Sequence, residues 1–168
     1  VHAVVGVHPN HVMEEPDDVR PALRELVRHP RVVAIGETGL DFYRLTGTSP
    51  EELEAVREKQ ARLFEQQLEV AAEAGLHCVI HQRDAFAPSL ARVQAWRGRV
   101  RTVFHCFTGT PAEAAAVLDA GSLVSFTGIA TFKNGQNIRD VIASVPLDRF
   151  MLETDCPYLS PDKERSSE

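Results

Sequence analysis

The fold is decided by RVVAIG at residues 31–36, SPEELEAVREKQARLFEQQLEVAAEAG at residues 49–75 and HCVIH at residues 77–81. The first and last stretches are short, nearly continuous apolar runs rich in β-branched residues, which is typical of parallel strands covered by helices. The middle stretch opens with Ser49, Pro50 and a reciprocal Glu52, and it closes on Gly75. These residues are start and stop signals of a helix, so the region predicts a strand–helix–strand unit.

The same alternation continues along the chain. Strands are predicted at residues 3–7, 31–36, 77–81, 101–105, 123–127 and 149–154. Helices are predicted at residues 17–28, 49–75, 85–96, 110–121 and 137–144. Alternation of this kind indicates a parallel sheet, either open and doubly wound or closed as a barrel. Six successive units without a G-x-G-x-x-G motif favour a TIM-type (β/α)8 barrel, although periodicity alone leaves both arrangements open.

The composition is that of one soluble domain. The 168 residues suffice to bury a core, and 43% apolar and 25% charged residues are ordinary for a globular protein. The sequence shows neither an apolar run of about 20 residues nor a signal peptide. Its three cysteines form no C-x-x-C pair, so reduced thiols and a cytoplasmic location are the simplest interpretation. The net charge of −6 argues against non-specific attraction to nucleic acid but does not exclude a nucleic acid substrate, because bound cations reverse a local field.

Side chains of metal-ligand type follow the apolar runs of four separate strands: Glu37, His81, His105 and Asp155. In a parallel α/β barrel the C-terminal ends of all strands lie on one face, so we expect these side chains to converge on one pocket. Imidazole and carboxylate together suit zinc, manganese, iron or nickel, with magnesium possible where oxygens dominate. A carboxylate can also bridge two cations and a bound cation activates water. Strand alternation places Glu153 on the same face as Asp155, where it could orient a ligand.

Structural interpretations compete with this one. A single histidine at a strand end is more often a hydrogen-bonded structural residue, and Glu37 or Asp155 could merely cap a turn. However, four independent turn formers need not all be metal-ligand types at the same topological position. The joint pattern therefore favours a metal site.

Three further residues are candidates for substrate binding. Lys133, just past the fifth strand, and Arg83, just past the third, could each contact a phosphate oxygen. Arg83 could instead form a local ion pair with Asp84, and solvated surface charge is the better explanation of either residue when it is taken alone. His8 ends the first strand in G-V-H-P and is either a substrate contact or a structural histidine.

Six blocks stand out along the chain: GVHPN at residues 6–10, AIGETGLDFYR at 34–44, QLEVAAEAGLHCVIHQRDA at 67–85, FHCFTG at 104–109, LVSFTGIATFKN at 123–134 and LDRFMLETDCPYLSP at 147–161. In order and spacing they resemble the blocks of the TatD-type metal-dependent deoxyribonucleases, and the resemblance runs from Val5 to Pro161. It implies a (β/α)8 barrel that hydrolyses phosphodiester bonds in DNA, often as an exonuclease. One or two divalent ions, Mg²⁺, Mn²⁺ or Zn²⁺, are the implied cofactors.

The resemblance also implies roles for individual residues. Metal-ligand positions fall on Glu37, His81, His105 and Asp155. In the implied mechanism a metal-activated water attacks phosphorus, Asp155 binds metal and orients or deprotonates that water, and Glu37 is the bridging carboxylate. Other motif positions near the site fall on His8, Arg83 and Lys133, as substrate contacts, and on Glu153, behind the ligands.

The chain departs from the family pattern at both ends. The family opens with an H-x-H motif on its first strand, whereas GVHP at residues 6–9 corresponds to its third strand, and the chain ends in PDKERSSE at residues 161–168. We therefore expect one partial barrel domain over residues 1–168, with six of the eight strands and without the C-terminal end. The unpaired strand edges of such a barrel favour a homodimer.

Two other functions stay open. The pattern is similar to the wider amidohydrolase group, so hydrolysis of a small amide or ester is an alternative, which the acidic net charge mildly favours. A non-catalytic remnant that binds metal or nucleic acid is the other, because one metal site lacks its H-x-H pair. The family blocks, together with Lys133 and Arg83, favour a DNA substrate, and we expect no membrane partner.

Overall fold

The structure is a computed structural model that describes residues 1–43, 45, 47 and 49–161. It divides into two compact units, Val1–Thr102 and Val103–Glu168, and each is built from alternating strands and helices. The predicted α/β class and the parallel direction of the strands are confirmed. That the residues form one partial barrel domain stays a prediction.

The first unit contains three parallel strands in the order β1–β2–β3. Its elements are β1 (Ala3–Val5), a 3₁₀ helix (Pro9–Glu14), α1 (Arg20–Leu26), β2 (Val32–Asp41), α2 (Pro50–Ala74), β3 (His77–Arg83) and α3 (Phe86–Ala95). Ile35 of β2 pairs with Val5 on one side and with Cys78 on the other. Ile35 and Cys78 are fully buried, together with Leu63, Phe64 and Leu68 of α2, so the core of this unit lies between the central strand and α2.

The helix α2 begins and ends where the sequence predicts. The Ser49 hydroxyl accepts a hydrogen bond from the Glu52 backbone, and the Glu52 carboxylate accepts one from the Ser49 backbone. Such an N-cap is worth about 1 kcal/mol. Gly75 ends the helix with φ +65°, in the left-handed conformation that glycine adopts without strain. A helix of this length, held at both ends, is a rigid support for the side chains on its buried face.

Both β2 and β3 continue beyond their apolar runs, which corrects two predicted strand ends. The predicted strands ended at residues 36 and 81. In the structure β2 ends at Asp41 and β3 ends at Arg83. The added pairs are Gly39–His81, Leu40–Gln82 and Asp41–Arg83. A ladder is held by backbone groups and therefore persists where side chains become polar. Glu37 consequently lies within β2 and not after it, and His81 lies within β3 and not at its end.

The second unit contains β4 (Thr102–Phe104), α4 (Pro111–Asp119), β5 (Leu123–Phe126), a 3₁₀ helix (Gly128–Thr131), α5 (Gln136–Ser144) and β6 (Phe150–Leu152). β5 pairs in parallel with both β4 and β6. β6 ends at Leu152 and not at residue 154. Leu152 pairs with Phe126, the last residue of β5, and the chain after Phe126 turns into the 3₁₀ helix, so the pairing of β6 with β5 ends at this pair. The predicted strand alternation from Glu153 to Asp155 is therefore wrong, since both residues lie beyond the strand.

The remaining helices are close to their predicted ranges. α4 begins with a second capping box, in which Thr110 and Glu113 exchange hydrogen bonds as Ser49 and Glu52 do. α1 is shorter than predicted and α5 begins one residue earlier. Among the described residues, no helix is both long enough and apolar enough to cross a bilayer.

Candidate metal centre

Three side chains of the first unit come together: His8 after β1, Glu37 in β2 and His81 in β3. One potential ligand atom from each lies within 4.8 Å of the others. Gly36, the residue before Glu37, allows β2 to approach β3 closely. Gly36 has φ +151°, and a Cβ atom there would lie 2.7 Å from Val79 Cβ. A side chain at position 36 would therefore push the strand that carries Glu37 away from the strand that carries His81.

The imidazole of His8 is a neutral hydrogen-bond donor in this geometry. Its pKa is lowered to about 4, chiefly because burial disfavours the charged form and secondly because His81 lies beside it. Its Nδ1 accepts a hydrogen bond from the Asn10 backbone at 3.1 Å, so the single proton of the neutral ring is on Nε2. Nε2 lies 3.8 Å from Glu37 Oε2. A protonated nitrogen cannot ligate a cation, so His8 is placed to donate toward Glu37 or a bound anion.

Asp41, at the end of β2, contacts His81. Its Oδ2 lies 3.1 Å from His81 Nε2, and the Asp41 side chain is only 1% exposed. Asn10 Nδ2 donates to the same oxygen at 3.3 Å, and the Tyr43 backbone donates to Oδ1 at 3.0 Å. Asp41 was not among the site residues predicted from the sequence. The only sequence signal for Asp41 was an acidic residue four positions after Glu37, which became informative once β2 proved to run past Glu37.

In the second unit, His105 and Glu153 are neighbours. His105 follows β4, its side chain is 7% exposed, and its Nδ1 lies 3.8 Å from Glu153 Oε1. The same carboxylate oxygen accepts hydrogen bonds from the Cys106 backbone at 2.7 Å and from the Ser125 hydroxyl. Cys106 has φ +45°, so the chain turns sharply directly after His105. Glu153 thus anchors this turn, and its contact with His105 is the kind of arrangement in which a carboxylate orients an imidazole.

Three further predicted site residues, Asp155, Arg83 and Lys133, lie at or beyond the ends of secondary-structure elements. Asp155 is partly exposed and lies three residues after β6, where the Tyr158 backbone donates to its carbonyl oxygen at 2.7 Å. Arg83 ends β3, and its guanidinium carbon lies 3.6 Å from the centre of the Tyr43 ring. Because strand side chains alternate, Arg83 points to the same face of β3 as His81. Lys133 is exposed in the turn between the second 3₁₀ helix and α5.

The donor groups of each unit fit a divalent cation. The first unit offers the Glu37 carboxylate and the His81 imidazole, and the second offers His105 and the Asp155 carboxylate. Mixed nitrogen and oxygen donors suit zinc and manganese, and carboxylates suit magnesium. Hydrogen-bonded carboxylates contact both imidazoles, Asp41 in one unit and Glu153 in the other. Such carboxylates commonly support histidines that bind metal.

Comparison with known proteins identifies relatives along the whole chain. The family model described as TatD related DNase matches residues 1–168. A protein of Pantoea vagans named 3'-5' ssDNA/RNA exonuclease TatD is 40% identical over 161 residues, which cover 95% of this chain and 59% of that protein. The metal-dependent hydrolase YcfH of Escherichia coli is 39% identical, over 97% of this chain and 58% of its own length. The chain thus spans somewhat less than two thirds of the relatives that it matches.

Solved structures agree with these matches. The crystal structure of YJJV, a TatD homologue from Escherichia coli, has a TM-score of 0.82 and 29% identity, and the match covers 96% of this chain and 60% of that one. A TatD-family hydrolase from Entamoeba histolytica has a TM-score of 0.74 and 25% identity, over 99% of this chain and 56% of the other. These likenesses confirm the fold class expected from the sequence.

Proposed function

Since this chain belongs to the TatD-related DNase family, we propose that it forms the larger part of a divalent-metal-dependent hydrolase that cleaves phosphodiester bonds in DNA as an exonuclease. The observation that carries the proposal is the convergence of Glu37 and His81, the proposed ligands, with His8, the proposed donor: one side-chain atom of each lies within 4.8 Å of the others. The name of the Pantoea vagans relative supports single-stranded DNA as substrate and cleavage from the 3′ end, with RNA as a second substrate.

The proposed cation ligands come from both units. Glu37 and His81 would hold a cation in the first unit, and His105 and Asp155 would contribute ligands in the second. A bound Mg²⁺, Mn²⁺ or Zn²⁺ ion would polarise a phosphoryl oxygen and lower the pKa of a bound water. Two carboxylates and two imidazoles provide ligands for one or two such ions. That all four side chains share one pocket stays a prediction of the sequence.

The side chains of the protein have distinct tasks in this proposal. Asp155 orients the attacking water and accepts its proton, which a partly exposed carboxylate can then release to solvent. Glu37 binds the cation, and His8 presents its Nε2–H beside it, where it can donate to a phosphate oxygen. Arg83 and Lys133 supply positive charge for the DNA backbone. The Arg83 guanidinium is stacked on Tyr43, which holds it in one orientation at the end of β3.

Cleavage of 5′-labelled single-stranded DNA tests the proposal, with Mg²⁺, Mn²⁺ and Zn²⁺ supplied in turn. The variants are Glu37→Gln, His81→Gln, His105→Gln and Asp155→Asn. We expect metal-dependent shortening of the DNA from its 3′ end, and a fall in rate of at least about 100-fold in each variant. The matched control is His77→Gln, an exposed histidine on the same strand as His81, four residues before it. This control variant keeps the wild-type rate.

Two results would contradict the proposal. The first is a folded protein that binds Mn²⁺ but leaves DNA and RNA intact, because the substrate then belongs to another class. Chromogenic esters and small amides, the substrates of the alternative chemistry, are assayed in the same experiment. The second is cleavage that persists in Glu37→Gln and His81→Gln, because the activity would then come from a different site or a contaminant.

We also propose a homodimer and a cytoplasmic location. Met151 and Leu152 of β6 are 50% and 77% exposed, and an exposed apolar strand is a template for pairing with another chain. A dispersed monomer in analytical sedimentation would contradict the dimer. Reduced thiols at Cys78, Cys106 and Cys156 support a reducing compartment, and burial raises the pKa of the Cys78 thiol, which keeps it unreactive. Cell fractionation that finds the protein outside the cytoplasm would contradict this location.

A further inference from the structure

We propose that Asp41 is a positioning residue that fixes the tautomer and the ring orientation of His81, and that Gln60 of α2 holds Asp41 in place. Neither residue belongs to the set of cation ligands. The inference rests on the proposed function, in which His81 binds a cation, because it explains how the His81 ring is oriented for that role. Its first test needs neither a cation nor DNA.

The contacts of Asp41 determine which nitrogen of His81 carries the proton. Two N–H groups, from Asn10 and from the Tyr43 backbone, already converge on the Asp41 carboxyl oxygens. Such an environment favours the ionised carboxylate, which only accepts hydrogen bonds. His81 Nε2, at 3.1 Å from Oδ2, must therefore be the donor. A neutral ring with its proton on Nε2 has its lone pair on Nδ1, and we propose this nitrogen as the cation ligand.

Gln60 fixes the backbone of Asp41 on both sides. Its Oε1 accepts a hydrogen bond from the Asp41 nitrogen at 3.0 Å, and its Nε2 donates to the Asp41 carbonyl at 3.1 Å. The same Nε2 donates to the carbonyl of Pro9, the residue after His8, at 3.2 Å. Gln60 is 1% exposed and lies near the middle of α2. One carboxamide on a rigid helix therefore ties the end of β2 to the loop that carries His8.

A purely structural role is the competing explanation, because buried backbone groups need partners wherever they are. The helix provides its own comparison in Gln66, six residues further on. Gln66 Oε1 accepts from the Val19 backbone at 2.9 Å, and its Nε2 donates to the Asp17 carbonyl at 2.7 Å. It is 8% exposed and secures a different loop. A leucine at either position removes a similar set of buried hydrogen bonds, but only position 60 is connected to Asp41.

The first experiment compares wild type with Asp41→Asn by long-range ¹H–¹⁵N NMR of the histidine rings in EDTA, with the His81 signals assigned from a His81→Gln variant. The Tyr43 backbone requires an acceptor, so the amide oxygen of the substituted side chain stays there and its NH₂ group faces His81. We expect the proton of His81 on Nε2 in wild type and on Nδ1 in Asp41→Asn. The proposal is overturned if wild type has the proton on Nδ1, or if the variant leaves the tautomer unchanged.

The second experiment measures Mn²⁺ affinity by calorimetry. We expect Asp41→Asn and Gln60→Leu to weaken binding by about 10-fold or more, as removal of a group that supports a metal ligand generally does. Gln66→Leu lowers the melting temperature as Gln60→Leu does but leaves Mn²⁺ affinity and the His81 signals unchanged. Equal effects of the two leucine variants would overturn the role of Gln60. If wild type binds Mn²⁺ but does not cleave nucleic acid, the proposed function fails while these comparisons still decide the inference.

Discussion

Gly39 of β2 pairs with His81 of β3, and the two backbones approach so closely that a Cβ atom on Gly39 would lie 1.9 Å from the His81 carbonyl oxygen. No neighbouring backbone atom can tolerate that distance. The φ angle of Gly39, +137°, is also one that residues with a side chain rarely adopt. The position of His81 therefore depends on the absence of a side chain at position 39.

Replacement of Gly39 by alanine will displace β3 and destabilise the protein. Steric overlap and backbone strain add, so we expect a loss of more than about 2 kcal/mol in the free energy of unfolding, measured by urea denaturation. The matched control is Gly75→Ala, where φ is +65° and no heavy atom lies within 4 Å of the added Cβ. Strain alone should cost about 1–2 kcal/mol there. Equal losses in the two variants would show that the contact with His81 does not matter.

His8 and His81 will differ in their effect on metal binding. The Asn10 backbone donates to Nδ1 of His8, whereas Asp41 contacts Nε2 of His81, and Nδ1 is the His81 nitrogen that we propose as the cation ligand. We therefore expect His81→Gln to reduce Mn²⁺ affinity by about 10-fold or more and His8→Gln to change it less than about twofold. His8→Gln will still lower kcat for DNA, because a donor beside Glu37 is lost. Similar losses of affinity in both variants, measured by calorimetry, would identify His8 as a ligand.

The elements could be predicted from the sequence because their signals are local. Both capping boxes and the glycine at the end of α2 mark helix ends that the structure confirms. The strands were predicted from their apolar runs, and this signal stopped at residue 36, where polar residues begin. The continuation of β2 to Asp41 depends on backbone pairing with β3, which is a non-local contact that leaves no periodic pattern in the sequence.

The candidate site was predictable only in part for the same reason. Glu37 and His81 were recognisable as ligand types after apolar runs, and the structure brings them together with His8. Asp41 and Gln60 were not recognisable, because their roles follow from contacts across 19 residues of chain. In the helical pattern Gln60 is only one more position on the buried face of α2. A buried carboxamide in such a position is a signal that could have been used, since it requires polar partners in the core.

Removal of the Glu153 carboxylate, which contacts His105, will lower the cleavage rate more than removal of the Ser125 hydroxyl will. Glu153 Oε1 contacts His105 and accepts hydrogen bonds from Cys106 and Ser125. Glu153→Leu removes the 2.7 Å hydrogen bond of the Cys106 N–H, keeps its longer 3.3 Å bond to Ser125, and removes the charge beside His105. We expect at least a 10-fold fall in cleavage rate, against less than about threefold for Ser125→Ala, which removes two hydrogen bonds but keeps the carboxylate beside His105. Cleavage assays on folded variants, checked by circular dichroism, measure this difference, and equal rates would contradict the role of Glu153.

Arg83 will account for one phosphate contact in DNA binding. Its guanidinium is held on the Tyr43 ring at the end of β3, on the same side of the strand as His81. Removal of one contact with single-stranded DNA reduces the slope of log K against log salt concentration by about 0.7. We expect this change in Arg83→Ala, measured by fluorescence anisotropy of labelled DNA in EDTA so that cleavage does not interfere. Arg31→Ala is the control, because this exposed arginine lies far from Arg83. Arg31 directly precedes β2, whereas Arg83 pairs with Asp41 at the other end of that strand, roughly 30 Å away. An equal reduction of the slope in both variants would mean that DNA responds to the overall charge of the protein and not to a site at Arg83.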